Sequence, residues 1–336
     1  MTAASSSKPP VFAYYYLWWS SNHWVKALGA NYPRAASPLP LPARLDASGC
    51  VTTNLYAGNT LTDVPTAIYS QDDPGFIEAD VRQAAAAGLS GFAVNWIGTG
   101  SATQTVNSNP YSKRLRALVT AVHKVNAEGI HFSLWLSYKA SAQILSASQI
   151  DNDLAYFYSA YGKDPAFDRR ASSKLTVIWQ GSRKYPVSTL QSVAKVYGAK
   201  YRILGDETTW LRTRAPYLAG DAYYWSSQDP WNNPQSFSQL ATLAKAVRSS
   251  PVNADGSAKV WVAPLAPGYN KKLAGGSSCV PRRSGATIRA LYTGNAATTP
   301  DAFGLISWNE ISEGTYVDPM RRYGSMDLTA LSSLIR

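Results

Sequence analysis

The stretch DPGFIEADVRQAAAAGLSGFAVNW, residues 73–96, decides the fold. Asp73 is a helix N-cap and Pro74 sits at the first helical position, where its missing N–H costs nothing. Ile77, Val81, Ala84 and Ala85 keep helical spacing, and Gly88 ends the run. Gly91-Phe92-Ala93-Val94-Asn95-Trp96 is then a short, apolar run of the kind buried in a parallel sheet. Working outward, the same helix-then-strand unit repeats. An opening strand covers 11–18, and residues 20–72 form a long Pro-rich segment. After Trp96, helical stripes (Leu115, Leu118, Val119, Val122; Ile150, Leu154, Phe157, Tyr161; Leu190, Val193, Val196; Phe237, Leu240, Leu243, Val247) separate strands at 130–138, 174–179, 201–204, 222–225, 260–264 and 303–308. A C-terminal helix closes the chain. Alternation of this kind predicts an α/β fold, a single-domain (β/α)₈ TIM barrel over 11–336 behind a flexible tail at 1–10. The long loops follow the first and seventh strands. The helix between the fifth and sixth strands, around 210–217, is weak, so an open doubly wound sheet is the alternative. No GxGxxG follows a strand and no P-loop is present, so that alternative lacks a nucleotide signal.

In such a barrel, side chains at the C-terminal ends of the strands line the site. Those ends carry Tyr16, Trp18, Trp19, Asn95, Trp96, Tyr138, Trp179, Gln180, Asp206, Glu207, Tyr224, Trp225, Tyr269, Trp308 and Asn309. His23 and Trp24 stand just beyond the first strand, and Tyr316 just beyond the last. Aromatics, amides and carboxylates in these places suit a sugar-binding rim, because flat rings stack on sugar faces and the polar groups bond to hydroxyls. Cys50 and Cys279 each lie in one of the two long segments on this face. They are either free or one disulfide, which requires an oxidising compartment.

The composition excludes several classes. Eleven Trp and 21 Tyr accompany a net charge of 32 − 21 = +11. The basic residues occur only as short pairs, Arg169-Arg170, Lys271-Lys272, Arg282-Arg283 and Arg321-Arg322, with no basic stripe or nucleic-acid motif. This predicts a scattered solubilising surface and no nucleic-acid partner, with an anionic polysaccharide left open. No apolar run reaches the length of a membrane span. Residues 1–10, MTAASSSKPP, read as the start of a mature protein exported to the medium or the cell envelope, and a monomer is expected. Two cysteines and three histidines offer no metal site, and no Gly-x-Ser-x-Gly elbow exists.

The chemistry is expected at Glu310 and Glu313, where the last barrel strand breaks into a loop. Glycoside cleavage needs two carboxyl groups, one donating a proton to the departing oxygen and one acting at the reacting carbon or on a neighbouring group. Gly314 permits the sharp turn that lets both point into one cavity. Asp206 and Glu207 are weaker carboxylate candidates.

The segment SWNEISEGTYVDP, residues 307–319, resembles the W-N-E-W-x-E-G-T-x-I-E-P segment of glycoside hydrolase family 99 and its relatives. Tyr15-Tyr16-Leu17-Trp18 with His23-Trp24, Ala87-Gly88-Leu89-Ser90-Gly91-Phe92, Tyr223-Tyr224-Trp225-Ser226-Ser227 and Pro267-Gly268-Tyr269 are similar to further stretches of that family, in the same order. The resemblance implies retaining, endo-acting cleavage of an α-linked, mannan-like glycan without cofactor or metal. It makes Glu313 the acid/base and Glu310 the group that deprotonates the sugar's own 2-hydroxyl. The family's Glu-Pro-Tyr after the third strand is Leu136-Ser137-Tyr138 here, which leaves the sugar of that subsite open. Phe92-Ala93-Val94-Asn95 is also similar to family 71 α-1,3-glucanases, so a glucan is a second expectation. A non-catalytic carbohydrate-binding or polysaccharide-biosynthesis barrel is the alternative of another class.

Overall fold

The structure is a computed structural model that describes residues 8–99, 109–139, 144–169 and 173–336; the expected tail at 1–7 and Arg170 lie outside the described residues. Its strands are β1 Val11–Tyr16, β2 Gly91–Trp96, β3 Ser133–Lys139, β4 Leu175–Gln180, β5 Tyr201–Gly205, β6 Gly220–Asp221, β7 Val260–Leu265, β8 Tyr269–Asn270, β9 Cys279–Val280 and β10 Ala302–Leu305. Its helices are α1 Ser21–Leu28, α2 Pro74–Ala86, α3 Pro110–Ala127, α4 Ala147–Tyr161, α5 Val187–Tyr197, α6 Gln235–Arg248, α7 Ala286–Ala296 and α8 Met326–Ile335. Eight strands close into a parallel barrel in the order β1-β10-β7-β6-β5-β4-β3-β2, while β8 and β9 form a separate antiparallel hairpin. The barrel is the expected (β/α)₈ fold.

Strand alternation sorts the side chains into two cores. Phe12, Tyr14, Tyr16, Ala93, Trp135, Ile178, Leu204, Ala222, Val262, Ala302 and Ile306 fill the lumen. Phe12 stacks on Trp135 there, with ring centroids 3.9 Å apart. The intervening residues, among them Val11, Ala13, Tyr15, Phe92, Val94 and Trp96, face the helices. A third cluster, made of Trp19, Trp24, Ala27, Leu28, Tyr32, Leu39, Leu61 and Val64, packs the long segment after β1 against Ile311, Tyr316 and Met320. The Pro-rich segment therefore has its own core and buttresses the loop that carries the glutamates.

Several boundaries differ from the sequence reading. Helix α1 lies within the segment expected to be irregular; Ser20 caps it by accepting from the His23 N–H. Between β5 and β6 only a 3₁₀ turn, Ala215–Tyr217, is formed, as the weak periodicity there suggests. Strand β6 is two residues at Gly220–Asp221, not 222–225. A side chain at Gly220 would run into the Val260 backbone, with Cβ 2.1 Å from its carbonyl oxygen, so close strand approach demands glycine. Strand β10 stops at Leu305, three residues before the expected end at Trp308. Helix α7, unassigned in the sequence, completes the seventh βα unit of the barrel, between β7 and β10.

Cys50 and Cys279 form a disulfide, with Cα atoms 6.4 Å apart across 229 residues of chain. The bond ties the long β1–β2 segment to the β8–β9 hairpin, as the disulfide alternative required.

Candidate active site

Beyond β10 the chain runs on as a backbone-locked loop. The Trp308 N–H donates to the Tyr14 carbonyl at 2.9 Å, and Ser307 N and Thr315 O pair at 2.7 Å. Asn309 extends this pairing with its side chain: Oδ1 accepts from Tyr16 N at 2.8 Å and Nδ2 donates to Tyr16 O at 3.0 Å. The Trp19 indole donates to the Asn309 carbonyl at 2.7 Å. The Glu310 N–H donates to Ser307 Oγ at 2.6 Å, and a 3₁₀ turn over Ile311–Glu313 follows. Gly314 closes the turn at φ +65°, the left-handed conformation that the sequence reading asked of it. Its carbonyl accepts from buried Arg282, which pairs with Asp327 at 2.5 Å and lies over the rings of Tyr316 and Tyr323.

Glu310 is 5% exposed, and the Glu313 side chain is 24% exposed. Lys271, on the β8–β9 hairpin, reaches Glu313 with Nζ 3.1 Å from Oε1. The Tyr16 and Tyr224 hydroxyls are 2.7 Å apart. Burial, then the Glu310 carboxylate and more weakly Glu313, push the Tyr16 phenol well above its ordinary range. Burial and then Tyr16, Glu313 and Glu310 do the same to Tyr224. Tyr269 is raised mainly by burial, with Glu313 and Glu310 adding to it. Both carboxylates thus bear on one set of three phenols, which stay protonated as hydrogen-bond donors.

Trp18 stacks on Tyr16 with centroids 4.5 Å apart, and the His23 ring lies parallel to Trp18 at 6.2 Å. Burial, Lys26 and Arg114 lower the His23 pKa, so it is neutral at pH 7. Across the lumen, Asn95 Nδ2 donates to Gln180 Oε1 at 3.1 Å. Gln180 Nε2 and Ser137 Oγ are buried and have no partner. Unsatisfied groups of this kind are costly unless something fills them, and a sugar hydroxyl can. Asp206 also belongs to the lumen face, but its oxygens are committed: Tyr224 N at 3.0 Å, Gly181 N at 2.9 Å and Arg183 at 2.8 Å. It holds the rim together.

The other expected contacts turn away, and strand alternation is the reason for most of them. Trp96 is fully buried among the helices, its indole donating to Ser112. Tyr138 bonds Asp153 at 2.7 Å in the same outer layer. Glu207 is buried in an ion pair with Arg214 at 2.9 Å. Trp308 is fully buried in the outer core, and Trp225 leans on that core beside Tyr223. Trp24 and Tyr316 lie in the third cluster, Tyr316 donating to Asp63 at 2.7 Å. These seven residues build the walls behind the site. Lys271, two residues after Tyr269 in the hairpin, is the residue that sequence reasoning left out of the site; Gln180, expected at its strand end, and Ser137, of the substituted third-strand stretch, share lumen parity with Asn95.

Behind the loop, Asp80 of α2 accepts from the Tyr15 hydroxyl at 2.7 Å. Burial raises the Asp80 carboxyl, against the opposing effect of Tyr15 and Trp308. Asp318 of the loop is raised by burial and by the Asp80 charge. The two acids share a dry space between helix, strand and loop.

No protein-family profile and no curated protein matches the sequence. Solved structures do. The GH99 endo-alpha-mannosidase from Bacteroides thetaiotaomicron superposes with a TM-score of 0.68 at 16% identity, over 96% of this chain and 95% of that one. A glycoside hydrolase-like protein gives 0.62 at 12% identity, over 90% and 97%. GH5_18 from Streptomyces cattleya, in complex with GlcNAc, gives 0.50 at 12% identity, over 79% and 75%. Across nearly its whole length, this chain has the barrel fold seen in the GH99 endo-alpha-mannosidase.

Proposed function

We propose that the protein is a glycoside hydrolase, endo-acting and retaining, that cleaves an α-linked polysaccharide with Glu310 and Glu313. One observation carries the reading: Glu310 and Glu313 bracket one 3₁₀ turn of the loop that leaves β10, pinned to Tyr14 and Tyr16 of β1, with Lys271 3.1 Å from Glu313. In the proposed reaction Glu310 takes the proton of the sugar's 2-hydroxyl as that oxygen closes on the anomeric carbon. Glu313 gives its proton to the departing glycosidic oxygen. Water then opens the resulting epoxide at the anomeric carbon; Glu313 accepts the water's proton, and the 2-oxygen recovers its proton from Glu310. Trp18 offers a stacking face, while Ser137, Asn95 and Gln180 supply neutral hydrogen-bonding groups to hydroxyls. The GH99 endo-alpha-mannosidase likeness supports mannan-like glycans as first substrates; the uncharged Ser137–Gln180 wall keeps α-glucans on the panel. The disulfide supports action in an oxidising compartment outside the cytosol, and the protein is taken to act as a monomer.

The test is incubation with α-mannans, α-glucans and actinobacterial cell-wall glycans, with the products sized and their anomers followed by NMR. Internal cleavage with retained configuration is expected. Glu310→Gln and Glu313→Gln should each lose about 10²–10⁴-fold in kcat while keeping glycan binding. Glycan left intact by the wild-type protein, despite measurable binding, would mean a non-catalytic carbohydrate-binding barrel.

A further inference from the structure

A concavity opens beside the β8–β9 hairpin and the disulfide. It measures about 910 Å³ and is walled by the disulfide itself, by Leu45 and residues 47–50, and by Lys272, Pro281, Arg282, Arg283 and Arg322. Four of its lining residues are cationic and none is acidic. Arg282 is neutralised by Asp327, and Arg322 donates to the Thr62 and Ala43 carbonyls. Lys272 and Arg283 have no carboxylate within ion-pair distance among the described residues. Asp46, an acid that feels Lys272, is turned into its own loop, with Oδ1 accepting from Ser48 and Cys50.

The rim has a second character. Trp231, 42% exposed, is held by its indole N–H to Thr287 at 3.0 Å, and the Arg283 guanidinium lies 5.0 Å from its ring centroid. Asn232, next in sequence, lines the cavity. Arg283 and Ser284 are both left-handed, at φ +48° and +53°. Non-glycine residues adopt this conformation only at an energetic cost, and such strain collects at binding sites. Here it carries the chain through the bend that sets Arg283 against Trp231. An indole plate, an amide and unneutralised cations together fit a sugar ring bearing an anionic substituent better than a bare polyanion.

We infer that this cleft is a binding site for an anionic glycan, one whose sugars carry carboxylate, phosphate or sulfate groups. Lys272 and Arg283 meet the charge and Trp231 stacks on the ring. The hairpin is common to both places, with Lys271 beside Glu313 and Lys272 in the cleft. A polysaccharide crossing it would be held next to the place of cleavage. The inference extends the hydrolase reading by giving it a substrate class, but binding can be measured without turnover.

The test uses the full chain carrying Glu310→Gln, titrated at low salt with oligogalacturonate, with sulfated dextran and with neutral dextran of similar length, and with a single-stranded oligonucleotide. The expected result is binding of both charged glycans at least tenfold tighter than neutral dextran, and at least a tenfold loss for the charged glycans, with none for dextran, when Lys272→Ala and Arg283→Ala are combined. Trp231→Ala should weaken both charged glycans severalfold and leave any oligonucleotide binding unchanged. Equal affinity for neutral dextran would overturn the proposal. So would undiminished binding by the folded double variant, or an oligonucleotide bound as tightly as the glycans. With Glu310 intact, the cleft variants should cleave a short neutral oligosaccharide at the wild-type rate. Loss of hydrolysis and loss of cleft binding are therefore scored separately.

Discussion

Among the described residues, Lys271 is the one cation that touches the proposed acid/base, and it does so from a different loop than the one that carries Glu313. Lys271→Met removes the donor that holds this carboxyl and should lower kcat/KM about tenfold, or about 1.4 kcal/mol of transition-state stabilisation, with the melting temperature unchanged. Steady-state kinetics beside a thermal melt separate the two effects. Trp18 and Trp96 provide a sharper contrast, since they stand at the ends of neighbouring strands and look alike in sequence. Trp18→Ala should raise KM severalfold with little loss of stability. Trp96→Ala should cost about 3–5 kcal/mol of stability, as large core truncations do, while Trp96→Phe keeps turnover within a few-fold. A large KM effect in Trp96→Phe would mean that this ring meets substrate after all. Most residue-level errors of the sequence reading have one source. Composition picks out a strand end rich in aromatics, but only one of two adjacent side chains can face the lumen. Asn95 against Trp96 and Asp206 against Glu207 divide this way. The parity could have been read from the sequence only with an inward-facing residue fixed first.

At the scale of elements, the β8–β9 hairpin and the segment after β1 act together because one covalent bond joins them. Replacing both cysteines, Cys50→Ser with Cys279→Ser, should cost about 2–4 kcal/mol. KM for a polymer should rise while kcat on a short oligosaccharide is kept, because the glutamates are held by the loop's own hydrogen bonds to β1 and not by the bond. Denaturant melts and the two rate constants check this; a collapse of kcat would place the hairpin closer to the chemistry than described. The elements that repeat the strand–helix unit with clear apolar spacing were legible, with boundaries within a few residues. Helix α1 was not, because Ser21–Leu28 has only Trp24, Ala27 and Leu28 on its buried side and sits in a Pro-rich stretch. Strand β6 was shifted because its pairing rests on a glycine against bare backbone, and Gly220 carries no hydrophobic signal.

For the whole molecule, helix α2 and the loop bring together two buried acids, Asp80 and Asp318, whose folded pKa values are raised. A carboxyl raised on folding holds its proton where the unfolded chain has released it. Its favourable contribution is therefore complete below the unfolded value near 4 and is lost as pH rises through the folded value. Asp318→Asn leaves one acid with no charged neighbour, so the fall in melting temperature between pH 5 and pH 8 should shrink by a few degrees, on the order of 1–2 kcal/mol. An unchanged slope would show that the pair does not share a proton. The closed ring itself followed from the alternation of elements in the sequence, and the solved glycoside hydrolase structures share it. The net charge of +11 reads in the sequence as a scattered solubilising surface, yet Lys272 and Arg283, which flank β9 within one stretch of chain, line one cleft beside the disulfide.

The division of labour between the two glutamates is tested most directly with a leaving group that needs no proton. Turnover of an α-linked oligosaccharide should be compared with that of the matching α-glycosyl fluoride in Glu313→Gln and Glu310→Gln. Glu313→Gln should fail on the oligosaccharide and still release fluoride, whereas Glu310→Gln should fail on both. Near wild-type hydrolysis of the oligosaccharide by either variant would contradict the account, because the carboxyl removed would then have no part in breaking the bond.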